Sequence, residues 1–353
     1  MDSSGEMSAT SMVSIGTHRL AMSVTGPDRC SVTDPIVIVL TGAGDVASSY
    51  VALARLVSRF SRILLYDRSG LGASDAGKPG HPRPSAVAAV AELHMLLTNA
   101  GILPPLLLVG HSFGAIIARE YLHLYPGAVA GMVLCDPASE RQSDYFKIPD
   151  PNIDAVMGNL NYAQVTGLRT DTVLTREEWR TRAADILRGM SNWEAEAACF
   201  KETCEMLAAK KQCTDQALGS KPLSVIRANS ARDYERIYKK GVEVGNGTEE
   251  QRRAFRHLLD KWDDIDHMMK VEQLQLSSNS RLVHLLDCGH HVHLVQPDVL
   301  AEEIKWPRDF THDEDHGGEK GEGPECCAKS CDAHTPAIQV TVGPWMEELT
   351  ESE

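Results

Sequence analysis

The sequence predicts an α/β fold, a doubly wound and mostly parallel sheet carrying a helical cap insertion. Two observations predict it. Six short runs of Ile, Leu and Val recur along the 353-residue chain, and stretches with helical spacing separate them. Continuous apolar runs, in place of strict alternation, suit strands buried on both faces of a parallel sheet. Alternating strands and helices then pack as a sheet covered on both sides.

The runs are PIVIVL (35–40), RILLY (62–66), PLLLVG (105–110), GMVLCD (131–136), PLSVIR (222–227) and RLVHLL (281–286). Ahead of them, residues 12–26 alternate around a Gly-containing turn and read as an antiparallel edge hairpin. Ser85 is placed to N-cap a helix that ends before Gly101. Another helix follows Ser112 and stops at Tyr125-Pro126-Gly127, where proline cannot continue it. Residues 137–220 contain no convincing strand, and 175–190 and 194–211 read as helices, so this stretch is expected to form the cap. The core is expected to comprise 11–136 and 221–306, with a further helical excursion over 229–280. Residues 307–353 hold twelve acidic and three basic side chains among many glycines, and are expected to form an acidic, disordered tail.

Composition excludes several classes of function. Hydrophobic residues make up 42% and charged residues 24% of the chain, as in ordinary globular proteins. The net charge is −14, most of it in the tail, and no basic stripe marks a nucleic-acid surface. The apolar runs are too short to span a bilayer, which takes about 20 residues. No secretory signal is visible at the N-terminus, and nine irregularly spaced cysteines do not form a disulfide framework, so a cytoplasmic location is expected. The oligomeric state is open.

The strongest chemical signal is Gly110-His111-Ser112-Phe113-Gly114, a G-x-S-x-G placed after a predicted strand and before a predicted helix. A serine on such a sharp turn stands above the sheet edge, and side chains at either glycine would clash with neighbouring elements. The helix start favours negative charge developing there. Ser112 is the candidate nucleophile, and the N–H of Phe113 is a candidate oxyanion donor.

With the stretches LTGAGDVASSY (40–50), YDRSGLGASD (66–75), VLCDPASE (133–140) and DCGHHVHLVQPDVLAEEI (287–304), this motif resembles the α/β-hydrolase superfamily over roughly residues 11–306. The resemblance implies the following roles. His290 aligns with the catalytic base, with His291 as the alternative. Asp136, at the end of a strand, is favoured as the triad acid over Asp233, which lies beyond the next strand. Ala43 supplies the second oxyanion N–H, from a loop where relatives often carry a histidine that is absent here. Asp67 and Arg68 are expected to fix their loop by charge-assisted hydrogen bonds.

The expected activity is a serine hydrolase acting on a small or medium, fairly apolar ester, lactone or thioester, through an acyl-Ser112 intermediate and without a cofactor. Trp193, Phe200, Met206 and Leu207 of the cap are candidate pocket residues, although most are expected to pack against the core. A lyase or biosynthetic cyclase using the same Ser-His pair, or a ligand-binding receptor without turnover, are the alternatives. No metal site is expected from the three histidines at 290–293 or from Cys326, Cys327, Cys331 and His334, whose spacings match no established ligand set.

Overall fold

The computed structural model describes residues 9–77, 85–145 and 147–313. Eight strands form one sheet: β1 (Ser11–Ser14), β2 (Arg19–Thr25), β3 (Ile36–Leu40), β4 (Ile63–Tyr66), β5 (Leu106–His111), β6 (Val129–Cys135), β7 (Leu223–Ala228) and β8 (Ser280–Leu285). Their spatial order is β1-β2-β4-β3-β5-β6-β7-β8. β2 runs antiparallel to β1 and to β4, and every other neighbouring pair is parallel.

The continuous apolar runs arise because successive strand side chains point to opposite faces and both faces are covered. Ile36, Ile38 and Leu40 of β3 enter one buried layer, while Val37 and Val39 enter the other. Two helices cover the first layer: α2 (Ala86–Asn99), capped by Ser85, and α3 (Phe113–Leu124). The second layer lies under α1 (Val51–Val57) and the last helix of the described chain, α14 (Pro297–Asp313).

Between β6 and β7 the described residues form only helices: α4 (Gln142–Tyr145), α5 (Pro151–Met157), α6 (Tyr162–Val165), α7 (Leu168–Asp171), α8 (Arg176–Arg188), α9 (Met190–Ala198) and α10 (Phe200–Ala208). α8 starts with a capping box formed by Thr175 and Glu178. The helical stretch read over 194–211 is divided at Cys199 into α9 and α10. Two more helices, α11 (Ser230–Glu243) and α12 (Glu249–Leu274), lie between β7 and β8, and α13 (Val292–Val295) precedes α14.

One sequence-drawn boundary needs correction, whereas the helical excursion expected over 229–280 is present as α11 and α12, which join the helical layer. Val156 of α5, Ile237 of α11, and Phe255 and Leu259 of α12 form one buried cluster. Apolar positions four apart on α12 make that face. The tail does not begin at 307, since α14 continues through Pro307 to Asp313. Leu300, Ala301 and Ile304 anchor that helix in the core, and its charged outer face masked the continuation. The acidic run from 314 onward, with its cysteines, lies outside the described residues. Among the described residues, no helix is long and apolar enough to cross a membrane.

The cluster joining α5 to α12 generates a stability prediction. Phe255 is 1% exposed, so Phe255→Ala should lower unfolding free energy by about 3–5 kcal/mol, read from urea denaturation. A loss below about 1 kcal/mol would mean that the two helical segments do not support one another.

Candidate active site

β5 delivers the chain to Ser112 at the carboxyl edge of the sheet, and α3 begins at the next residue. Ser112 has φ of 53°, a left-handed conformation that non-glycine residues rarely adopt. The turn requires the glycines on both sides. A Cβ on Gly110 would stand 2.6 Å from Ala115 Cα, and one on Gly114 would stand 1.9 Å from the Leu40 carbonyl oxygen. Ser112 therefore projects into a cavity of about 420 Å³ that it shares with His290 and Asp136.

Asp136 lies just beyond β6, buried and also at positive φ, 40°. Its Oδ2 lies 2.5 Å from His290 Nδ1. A carboxylate only accepts, so Nδ1 carries the proton and Nε2 keeps its lone pair. The other oxygen, Oδ1, accepts the Ala228 N–H at 3.2 Å and lies 3.4 Å from Lys270 Nζ. Burial alone would push this carboxyl up, but the Lys270 ammonium and the His290 hydrogen bond hold it well below the usual carboxylate range. Lys270 is itself buried on α12. It lies 2.9 Å from Asp266 Oδ1 and donates to the Pro137 carbonyl at 2.9 Å. Asp233 serves the same histidine differently: its Oδ2 accepts the His290 backbone N–H at 3.0 Å. Of the two candidate acids, then, Asp136 faces the ring and Asp233 holds the loop. Burial raises the Asp233 carboxyl.

The loop after β3 passes beside the serine, for a Cβ on Gly42 would stand 3.5 Å from Ser112 Cβ. The Gly42 N–H points at the Tyr50 hydroxyl at 3.4 Å, and the Gly44 N–H donates to Glu196 Oε2 at 2.8 Å. Between them, the Ala43 N–H has no acceptor among the described residues. Phe113 opens α3, so its N–H has no partner within that helix. Asp67 and Arg68 do not act as a mutual pair. Asp67 accepts from the N–H groups of Ala47 and Ala73, at 2.7 and 2.9 Å. Arg68 instead turns to the 41–44 loop and to Glu196 of the cap.

A family model described as the alpha/beta hydrolase family matches residues 37–303. The chain belongs to that family. A protein of Hormonema carpetanum named "Probable transporter efuK" is 32% identical to this chain over 301 residues. That match covers 84% of this chain and 42% of the longer protein, so the chain spans less than half of that relative. An "AB hydrolase superfamily protein" of Gibberella zeae is 28% identical over 309 residues, covering 82% of this chain and 90% of that one. Among solved structures, a membrane phospholipase A aligns with TM-score 0.55 and 16% identity over 86% of each chain. The epoxide hydrolase CorEH aligns with TM-score 0.54 and 15% identity, over 84% of this chain and 96% of that one. Likeness at that identity shows the fold alone.

Around the cavity, the cap contributes Trp193, Tyr162 and Ile148, and α11 and α12 contribute Tyr234 and Trp262. Phe200 and Leu207 instead pack into the core beside Phe113, and Met206 is 40% exposed. His111, next to Ser112, buttresses His290. Its Nε2 donates to the His290 carbonyl at 2.9 Å, which leaves Nδ1 to accept from the Tyr50 hydroxyl at 2.9 Å. Tyr50 in turn stacks on His293, with ring centroids 4.1 Å apart.

The ring nitrogens of His111, His291 and His293 come within 4.8 Å of one another, a cluster that no sequence spacing announced because His111 is far away in the chain. A cation there would have to break a hydrogen bond of His111. Both His111 nitrogens are engaged, and His293 Nε2 lies 3.3 Å from Asp45 Oδ2. Burial, then the neighbouring histidines, holds His111 well below its ordinary range. Burial also lowers His293, outweighing the Asp45 contact that raises it.

Two buried neutral histidines imply a pH dependence of stability. Below about pH 6.5 the unfolded chain takes up protons that the folded chain refuses, so stability falls as pH falls. These two groups contribute up to about 2.7 kcal/mol per pH unit until their folded values are reached, and His291, also held low by burial, adds to the decline. Urea unfolding at pH 7, 6 and 5 should show this decline. A level profile over that range would mean that His111 and His293 charge freely in the fold.

Proposed function

We propose that this hydrolase is a serine hydrolase that cleaves a small or medium, fairly apolar ester, lactone or thioester. The observation that carries the reading is the 2.5 Å contact between His290 Nδ1 and Asp136, which leaves Nε2 basic in the same cavity as Ser112. In this mechanism Ser112 Oγ attacks the acyl carbon while its proton passes to His290 Nε2. Asp136 stabilises the imidazolium that forms. The Ala43 and Phe113 N–H groups receive the negative charge on the former carbonyl oxygen. Collapse of the tetrahedral adduct expels the alcohol, hydroxyl or thiol arm, which takes the proton from His290. Water then gives its proton to His290 and attacks the acyl-serine, and Ser112 regains a proton as the acid departs.

The cavity lining supports a neutral substrate. Its charged groups are already engaged with one another: Asp136 with His290 and Lys270, Asp266 with Lys270 and Arg227, and Asp233 with the His290 N–H. A charged ligand would have to break those pairs, whereas Tyr162, Trp193, Tyr234 and Trp262 offer apolar surface. A cytosolic location belongs to the same proposal, since all six described cysteines are free and five of them are buried.

Turnover of short-chain p-nitrophenyl esters tests the reading. Ser112→Ala should lose about 10⁴- to 10⁶-fold in kcat without a change in fold, and residual activity within about tenfold would remove Ser112 from the mechanism. Mass detection of an acyl group on Ser112 separates hydrolysis from a lyase or cyclase route through the same pair. The two acids divide the outcome further. Asp136→Asn should approach a 10⁴-fold loss, roughly what an orienting acid supplies, while Asp233→Asn should stay within about tenfold. The reverse ranking would make Asp233 the acid.

A further inference from the structure

Arg68 is 4% exposed, yet its guanidinium has several hydrogen-bond partners on two different elements. Nε and Nη2 donate to the two oxygens of Glu196, at 2.7 and 2.9 Å, a bidentate fork. Nη1 donates to the Thr41 carbonyl and hydroxyl, at 2.8 and 2.7 Å, and Nη2 donates to the Gly42 carbonyl at 2.8 Å. Glu196, 5% exposed on α9, also accepts the Gly44 N–H. The N–H and C=O groups flanking Ala43 are therefore held from a cap helix and from the arginine that the cap carboxylate orients. The other oxyanion residue is touched too, since the Arg68 guanidinium carbon lies 5.8 Å from the centre of the Phe113 ring. One helical turn before Glu196, Trp193 covers Gly44 so closely that a Cβ there would stand 2.4 Å from the indole.

We propose that Glu196 is a positioning residue for the oxyanion loop: through Arg68 and the Gly44 N–H, the seated cap fixes the direction of the Ala43 N–H. The inference rests on the serine-hydrolase reading above. It makes the cap part of transition-state stabilisation as well as a wall of the pocket. The developing oxyanion needs donors already aimed at it, and a loop released from Glu196 would have to spend binding energy on ordering them. Binding of the planar ester needs those donors far less. Losing the contact should thus lower kcat and the affinity for a tetrahedral adduct, and leave KM nearly alone.

The test uses the full chain with the double variant Arg68→Met/Glu196→Met, which removes both buried charges together. Replacing a buried ion pair by apolar residues of similar volume is often neutral for stability. The expected result is a chain that still folds with a lowered Tm, because the Thr41 and Gly42 carbonyls and the Gly44 N–H lose their partners, with kcat reduced about ten- to a hundredfold and KM within about threefold. Inhibition by phenylboronic acid, which forms a tetrahedral anion on a reactive serine, should weaken by a factor similar to the loss in kcat. Hydrogen exchange at residues 41–45 should speed up. Unchanged kcat and boronate affinity would overturn the proposal, as would a rise in KM alone, which would make Glu196 a pocket residue. Should the double variant not fold, the same quantities are read on Arg68→Lys, which keeps the charge but loses the fork. The two readings fail separately. Absence of Ser112-dependent turnover in the wild type would refute the serine-hydrolase reading, whereas slow exchange at 41–45 in the variants would refute the positioning role whatever the wild type does.

Discussion

Burying an ionised carboxylate at the end of a central strand costs several kcal/mol unless its charge is answered, and Asp136 is answered from separate parts of the chain. β7 supplies the Ala228 N–H, α12 supplies the Lys270 ammonium, and the loop after β8 supplies the His290 ring. Each supplier brings a constraint. Lys270 is also buried and needs Asp266, and Asp266 is paired with Arg227 of β7. The result is an alternating row of charges running from the His290 ring into the helical layer. Such a row is weak evidence for stability, because apolar side chains of the same volume would often serve as well. Its effect here is on the register of the site: Asp136 stays ionised, so the Nδ1 proton stays on His290 and Nε2 faces the cavity.

The opposite wall of the site follows a related logic with different parts. There the groups to be held are backbone donors, which carry no net charge and which a loop alone would leave mobile. Arg68 and Glu196 spread one ion pair over the carbonyls and N–H groups from Thr41 to Gly44. Tyr50 adds a link, pointing its hydroxyl at both the Gly42 N–H and the His111 ring, and His111 holds the carbonyl of His290. His290 and the 41–44 loop are therefore joined by neutral, buried hydrogen bonds. A charged histidine at 111 would break this chain, since a protonated ring has no acceptor nitrogen left for the tyrosine.

What could be read in the sequence follows from how local each signal is. The strands were legible because both faces of β3 to β7 are covered, which leaves an unbroken apolar run in the chain itself. Ser112 was legible for a related reason, since the two glycines that permit its turn lie within two residues of it. Asp136 and Asp233 both touch His290, so the sequence offered two acids. Only the geometry separates the one on the ring from the one on the backbone. Lys270 and Glu196 carried no signal. Lys270 lies on a helix rich in charged residues and Glu196 follows Glu194 on α9, and in such settings a lysine or a glutamate ordinarily means a solvated face. Burial turns them into supports of Asp136 and of the 41–44 loop, and burial depends on what packs above them. The acidic composition near the end of the chain misled for the same reason: one face of α14 is charged while the other fills the core.

The helical layer therefore constrains the cavity from two separate insertions. α12, between β7 and β8, answers the charge of Asp136, and α9, between β6 and β7, holds the 41–44 loop. Phe255 and Leu259 of α12 share a buried cluster with Val156 of α5, so the two insertions are also packed on each other. Displacing either would therefore disturb both Asp136 and the 41–44 loop. Even lining residues share this load, since Tyr162 packs against the cluster of α5 and α12, and Trp262 is buried and donates to the Ser230 hydroxyl. Substitutions at Lys270 or Glu196, which answer Asp136 and hold the Gly44 N–H, would disturb those contacts before they altered the shape of the pocket.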